Sequence, residues 1–201
     1  MLFISKQKGE SQLLVVILVF IISAIFMKWV GSQGVASIEK TKLNGSVEEI
    51  IYFRNSIVRE SHNDYNFSHV TNDYINQRNL KLDNWKYDPV NDIFVDSNNL
   101  FITVTNNIPL AFVPGTTGTS NDVTVNDGFT ITISNIKKVN ALSMLNELSG
   151  VFWAIRSKGN GATEVIFKNA DGELNLSIIT GWLDSLQQAQ HGTIGLELIT
   201  L

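Results

Sequence analysis

Hydrophobic positions first form one continuous run. Leu13 to Met27 reads LLVVILVFIISAIFM, fifteen residues with Ser23 as the polar interruption. At ~1.5 Å per residue the run covers ~22 Å, short of a ~30 Å hydrocarbon core. Adding Glu10–Gln12 and Lys28–Val30, with Lys28 snorkelling and Trp29 at the interface, predicts a segment able to cross. Lys6 and Lys8 precede it, so the positive-inside rule predicts a cytoplasmic N-terminus and an exported C-terminal region, against the weaker counter-bias of Lys28.

The pattern then becomes helical. Val35, Ile38, Val47, Ile50/Ile51, Arg54 and Ile57/Val58 recur at three- and four-residue steps, which predicts that the helix continues to about Ser61, with a bend at Asn44-Gly45. A helix from Glu10 to Ser61 would be on the order of 78 Å long. One half would face lipid or sister subunits, and the other would lie on a sheet.

Alternation takes over downstream. Asp64 to Pro89 reads as an irregular loop with a short helix near Val70–Asn79. Leu100–Thr105 and Phe129–Ile133 read as strands, the second half-buried and antiparallel, with the surface loop Pro114–Asn121 between them. Val139–Leu148 predicts a short amphipathic helix presenting Leu142, Leu145 and Leu148. Strands are expected at Val151–Arg156, Glu164–Lys168 and Glu173–Leu176, the last two joined by an Asp171-Gly172 hairpin turn. Ile178/Ile179, Trp182/Leu183 and Leu186 form a further helical stripe, ending near His191-Gly192. The strand Thr193–Leu201 is apolar enough to require a place inside the sheet. No repeat is visible, so the expectation is one membrane helix and one α+β domain.

Composition narrows the function. Fifteen basic and nineteen acidic residues give a net charge of −4, which argues against a nucleic-acid partner. The absence of cysteine excludes thiolate metal sites, thiol nucleophiles and disulfides. His62, Asp64 and His69 lie close in sequence but match no ligand spacing, and read as solvated loop residues, so no metal is expected. No G-x-S-x-G elbow occurs, and Gly159-Asn160-Gly161 lacks the lysine and helix of a phosphate loop. No catalytic residue and no cofactor are expected. Trp153 and Trp182 read as core. Trp85, Tyr87, Thr116 and Thr117 are candidates for surface contacts, although packing of Trp85 under its own loop is the commoner fate of such a residue.

The N-terminus admits three readings: an uncleaved signal anchor, a secretory signal cut at Gly34-Val35-Ala36, or a leader ending at Lys8-Gly9 directly before the apolar run. The third placement resembles that of type IV prepilins. The element order is similar to that of type IVb pilins: a long helix, a loop, an antiparallel sheet interrupted by a short helix, then a closing helix and strand. The closest local likeness is Asp127 to Ile136 (DGFTITISNI) leading into Val139-Asn140-Ala141-Leu142, with the closing helix Ile178–Gln190 and strand Thr193–Leu201.

That resemblance implies a pilin-like fold with leader 1–9, a transmembrane and filament-core helix 10–30, an outer spine half 31–61 and a head 62–201. Cleavage would fall between Gly9 and Glu10. The assembly helix would use Leu13, Leu14, Val15, Ile17, Leu18, Phe20, Ile21, Ile25 and Phe26. Its implied partners are other pilin subunits, a prepilin peptidase, a pilus assembly platform and the membrane. The implied location is a single-pass inner-membrane protein with a periplasmic C-terminal domain, later an extracellular filament serving adhesion, conjugation or secretion.

Two departures favour a minor or tip subunit. The fifth position after the cut is Leu14, where the family usually has a glutamate that registers neighbouring subunits. The family's disulfide between the middle and closing helices is missing, its place taken by Leu142 and Gln188–Gln190. The runner-up is an uncleaved, signal-anchored periplasmic protein that binds a ligand or a secretion complex.

Overall fold

The computed structural model describes residues 3–61, 66–109, 122–124, 128–158, 165–169, 172–186 and 193–201, with side chains defined outside 3–16, 29–39, 109 and 122–124. The first element, α1 (Phe3–Ser61), is 59 residues long, and its backbone hydrogen bonding runs through Asn44-Gly45 without the expected interruption. The chain nevertheless divides into two compact units, Met1–Lys42 and Leu43–Leu201.

The membrane-spanning expectation for 10–30 is corrected: among the described residues no helix is long and apolar enough to cross a membrane. The terms transmembrane helix and type IV pilus, and the single-pass inner-membrane location, lose their support with it. The expected fold class, a pilin-like spine with a membrane half and an exposed half, is corrected too. A seven-stranded antiparallel sheet organises the second unit, which takes in α1 from Leu43 onward.

That sheet contains β1 (Lys86–Asp88), β2 (Ile93–Val95), β3 (Phe101–Thr105), β6 (Phe129–Lys137), β7 (Ala154–Lys158), β8 (Ile166–Lys168) and β9 (Thr193–Thr200). Its order is β1-β2-β3-β6-β9-β7-β8, so the C-terminal strand lies between β6 and β7, where its apolar residues cannot act as an open edge. A separate hairpin pairs β4 (Asn107–Pro109) with β5 (Asp122–Thr124). Three helices complete the unit: α2 (Asn72–Gln77), α3 (Lys138–Leu148) and α4 (Leu176–Ser185).

Period-two alternation gives the sheet two different faces. Ile102, Val104, Ile131, Ile133, Leu196 and Leu198 are buried in the main core together with Leu43, Val47, Ile50, Phe53 and Ile57 of α1. The helical residues step by four, three, three and four, which keeps them on one stripe. At the centre of this contact the Phe53 ring lies 4.8 Å from Trp85 and 6.0 Å from Phe94. Glu49, one turn earlier, accepts hydrogen bonds from Trp85 Nε1 at 2.8 Å and Asn84 Nδ2 at 2.7 Å. The start of the packed helix is tied to the β2–β3 turn. There Ser46 Oγ donates to Asp96 Oδ2 at 2.6 Å, and Asp96 Oδ1 accepts from the backbone N–H groups of Asn98 and Leu100.

The opposite face carries the residues of the other parity. Thr132 pairs with Glu197, which pairs in turn with Arg156. Arg156 and Lys158 both form ion pairs with Glu197, and the Arg156 and Glu197 side chains are 5% and 3% exposed. Beside them Ile108 from the β4–β5 hairpin packs on Ala154 and Ile199, while Thr130 Oγ1 donates to Asn107 O at 2.7 Å. Gly128 is required in this corner: a β-carbon there would run into the carbonyl oxygen of Thr200 and come within 2.7 Å of Ile108.

Smaller corrections follow local chemistry. In α3 the buried stripe is Ala141, Met144/Leu145 and Leu148, with Leu142 half-buried. No strand forms over Glu173–Leu176, because Asn175 accepts from Ile178 N at 3.1 Å and starts α4 instead. Asp171 of the expected hairpin, the loop 114–121 and the Gly159-Asn160-Gly161 turn lie outside the described residues.

Candidate functional site

In the first unit, the described part of the expected assembly helix is exposed. Ile17, Leu18, Val19, Phe20, Ile21, Ile22, Ile25, Phe26 and Met27 are between 47% and 72% accessible. Six of them are consecutive, and at ~100° per residue six positions cover the whole circumference of a helix. The segment is therefore apolar on every side, which distinguishes it from a helix with one apolar face that needs one partner surface. Gly9 and Glu10 fall within the backbone of α1, and their side chains, with those of Leu13, Leu14 and Val15, lie outside the described residues.

Of the candidate surface residues, Trp85 belongs to the core at 2% exposure, because Glu49 satisfies its indole N–H beneath the loop. Tyr87 is half-buried. Its hydroxyl lies 2.8 Å from Asp92 Oδ1 and 2.9 Å from Asp73 Oδ1, and its single proton can be given to one of them at a time. Hydrogen bonding to Asp92, then to Asp73, raises the phenol well above its ordinary value. An alkaline titration followed by phenolate absorbance is therefore expected to leave one tyrosine protonated past pH ~10, and Tyr87→Phe to remove that late step. A titration curve unchanged by the substitution would contradict the arrangement.

Thr116 and Thr117 lie outside the described residues, as do His62 and Asp64. His69 lies with its ring 4.4 Å from Tyr74. Among the described residues no group of three or more His, Cys, Asp or Glu is placed to hold a metal ion. Trp182 is buried against Phe167 at 4.9 Å, and Trp153 packs partly buried beside Ile108, Ala154 and Ile199.

Sequence reasoning missed two groups. The ion trio around buried Arg156 and Glu197 had a signal: Glu197 is a lone acid between Leu196 and Leu198, and Arg156 and Lys158 share one strand face. The polar groove between α1 and Asn79–Asn84 had none, because its residues are remote in sequence and ordinary in type. Comparison with models of protein families and with curated proteins finds no match for this chain.

Proposed function

We propose that the chain is a structural subunit of a pilin-like filament, associating with other subunits through its N-terminal apolar helix and carrying the sheet domain as a head. The observation that carries this reading is the all-round exposure of Ile17–Met27. Large apolar side chains left in water cost roughly 1.5–3 kcal/mol each relative to burial. A helix apolar on all sides is fully covered only when several neighbours surround it, as in a bundle of like helices. The association needs no catalytic group, and buries lipid-like surface against lipid-like surface. Removal of a leader after Gly9 by a prepilin-type peptidase would leave Glu10 first, and an assembly platform would supply subunits. The missing acid at Leu14 suits a minor or tip position.

The test is the size of the full-length chain by sedimentation velocity, with Phe20→Asp/Ile25→Asp as the disrupted form. The expected result is concentration-dependent multimers for the native sequence and monomers for the double variant, with head stability unchanged. A native chain that stays monomeric at tens of micromolar, or multimers indifferent to both aspartates, would overturn the proposal.

A further inference from the structure

The second unit contains a groove of ≈510 Å³ lined by Tyr52, Ser56 and Arg59 of α1 and by the segment 79–84. This is within the usual size range of small-molecule sites. Tyr52, Ser56 and Arg59 are four and three residues apart, so they share one helix face beside the buried stripe.

The facing segment is held in place before any ligand arrives. Asn79 takes a left-handed backbone at φ 51°, Leu80 N donates to Ile75 O at 3.0 Å, and Trp85 N donates to Leu82 O at 3.0 Å. Asn84 and Trp85 are both anchored on Glu49.

The lining combines three kinds of group. Tyr52 is 58% exposed and offers a free aromatic face. Leu80 and Leu82 give a half-buried apolar floor. Arg59 and Lys81 supply two positive charges against the one carboxylate of Asp83, and among the described residues neither cation is ion-paired. A chain of net charge −4 thus has a groove of net charge +1.

We infer that this groove binds a small hydroxylated carboxylate of the uronic-acid class, with the carboxylate between Arg59 and Lys81 and the C–H face of the ring on Tyr52. Asp83 and the Asn79 amide accept and donate to ring hydroxyls. A bare phosphate fits less well. Phosphate sites use helix N-termini and clustered backbone N–H groups, whereas this groove lies along the last turns of α1, whose end carries partial negative charge. A singly charged carboxylate meets less of that repulsion than a phosphate dianion, and a bare anion would leave the aromatic wall unused. The groove lies wholly within Leu43–Leu201, so the inference stands apart from subunit association.

Saturation-transfer NMR on the full-length chain tests it, since the method tolerates large assemblies. The probes are glucuronate, glucose and inorganic phosphate at roughly 10 mM, the range for weak ligands. Transfer to glucuronate and not to glucose is expected, with affinity lower by about tenfold in Lys81→Gln and in Arg59→Gln. Tyr52→Ala is expected to abolish the ring-proton signals. All three side chains are solvent-accessible, and an unchanged melting temperature shows that the fold is intact. No transfer to glucuronate, equal transfer to glucose, displacement by phosphate, or indifference to the cation substitutions would each overturn the inference.

Discussion

Glu197→Ala is expected to lower the unfolding free energy by about 3–5 kcal/mol, because it removes a carboxylate that Arg156 and Lys158 share on the covered face of the sheet. For a chain of this size that is a fall in melting temperature of roughly 6–20 °C. The magnitude comes from desolvation rather than from the pair's own strength. Arg156 has left water and cannot lose its charge, whereas Lys158 is half-exposed and can turn its ammonium outward. Replacing both buried partners separates these terms. Arg156→Met with Glu197→Leu is expected to cost far less than Glu197→Ala alone, since a buried pair exchanged for packed apolar groups is often neutral. A loss below about 1 kcal/mol for Glu197→Ala would mean that this face is solvated and the trio behaves as a surface pair.

The same strand shows why parts of the fold were legible and others were not. Thr193–Leu201 announces itself because Ile194, Leu196 and Leu198 alternate within one short stretch, and all three are buried in the sheet's interior. The stripe from Val47 to Ile57 was equally readable, because a 3.6-residue period persists over several turns. Strands β1 and β2 were not. Three residues hold too little alternation to distinguish a strand from a loop, and Tyr87 is fixed by pairing with Phe94, which pairs in turn with Ile102. The Glu173–Leu176 error came from weighing Asp-Gly above Asn175, whose side chain caps the next helix. The membrane expectation fails on a separate finding: among the described residues no helix is long and apolar enough to cross.

Candidate site residues divided along similar lines. The exposure of Phe20, Ile25 and Phe26 follows from an apolar run too dense to place on one face, and it could be read in advance. For Trp85 the buried fate was the commoner expectation, but its anchor was not legible, because the indole N–H is held by Glu49, 36 residues earlier in the chain. Tyr52, Arg59 and Lys81 acquire meaning only once α1 is laid beside Asn79–Asn84. Contacts of that range leave no periodic trace.

Phe53→Ala is the second large effect expected, at about 3–5 kcal/mol. Phe53 is fully buried where α1 meets the loop and sheet, with its ring against Trp85 and Phe94. Removing it costs the transfer energy of the ring and leaves a cavity whose walls are poorly able to collapse. Trp85 is tethered through its indole N–H to Glu49, and Phe94 is fixed by the pairing of β2 with both β1 and β3. The neighbouring Tyr52→Ala supplies the contrast. It lies one residue away on the same helix, is 58% exposed, and is expected to change stability by no more than about 0.5 kcal/mol. Denaturant unfolding of the two variants would decide whether this helix is structural to the sheet unit. Equal, small losses would mean that the Leu43–Ser61 segment is loosely attached. A large loss confined to Phe53 would mean that the sheet unit requires this stretch of α1, and that any truncation meant to isolate that unit must begin no later than Leu43.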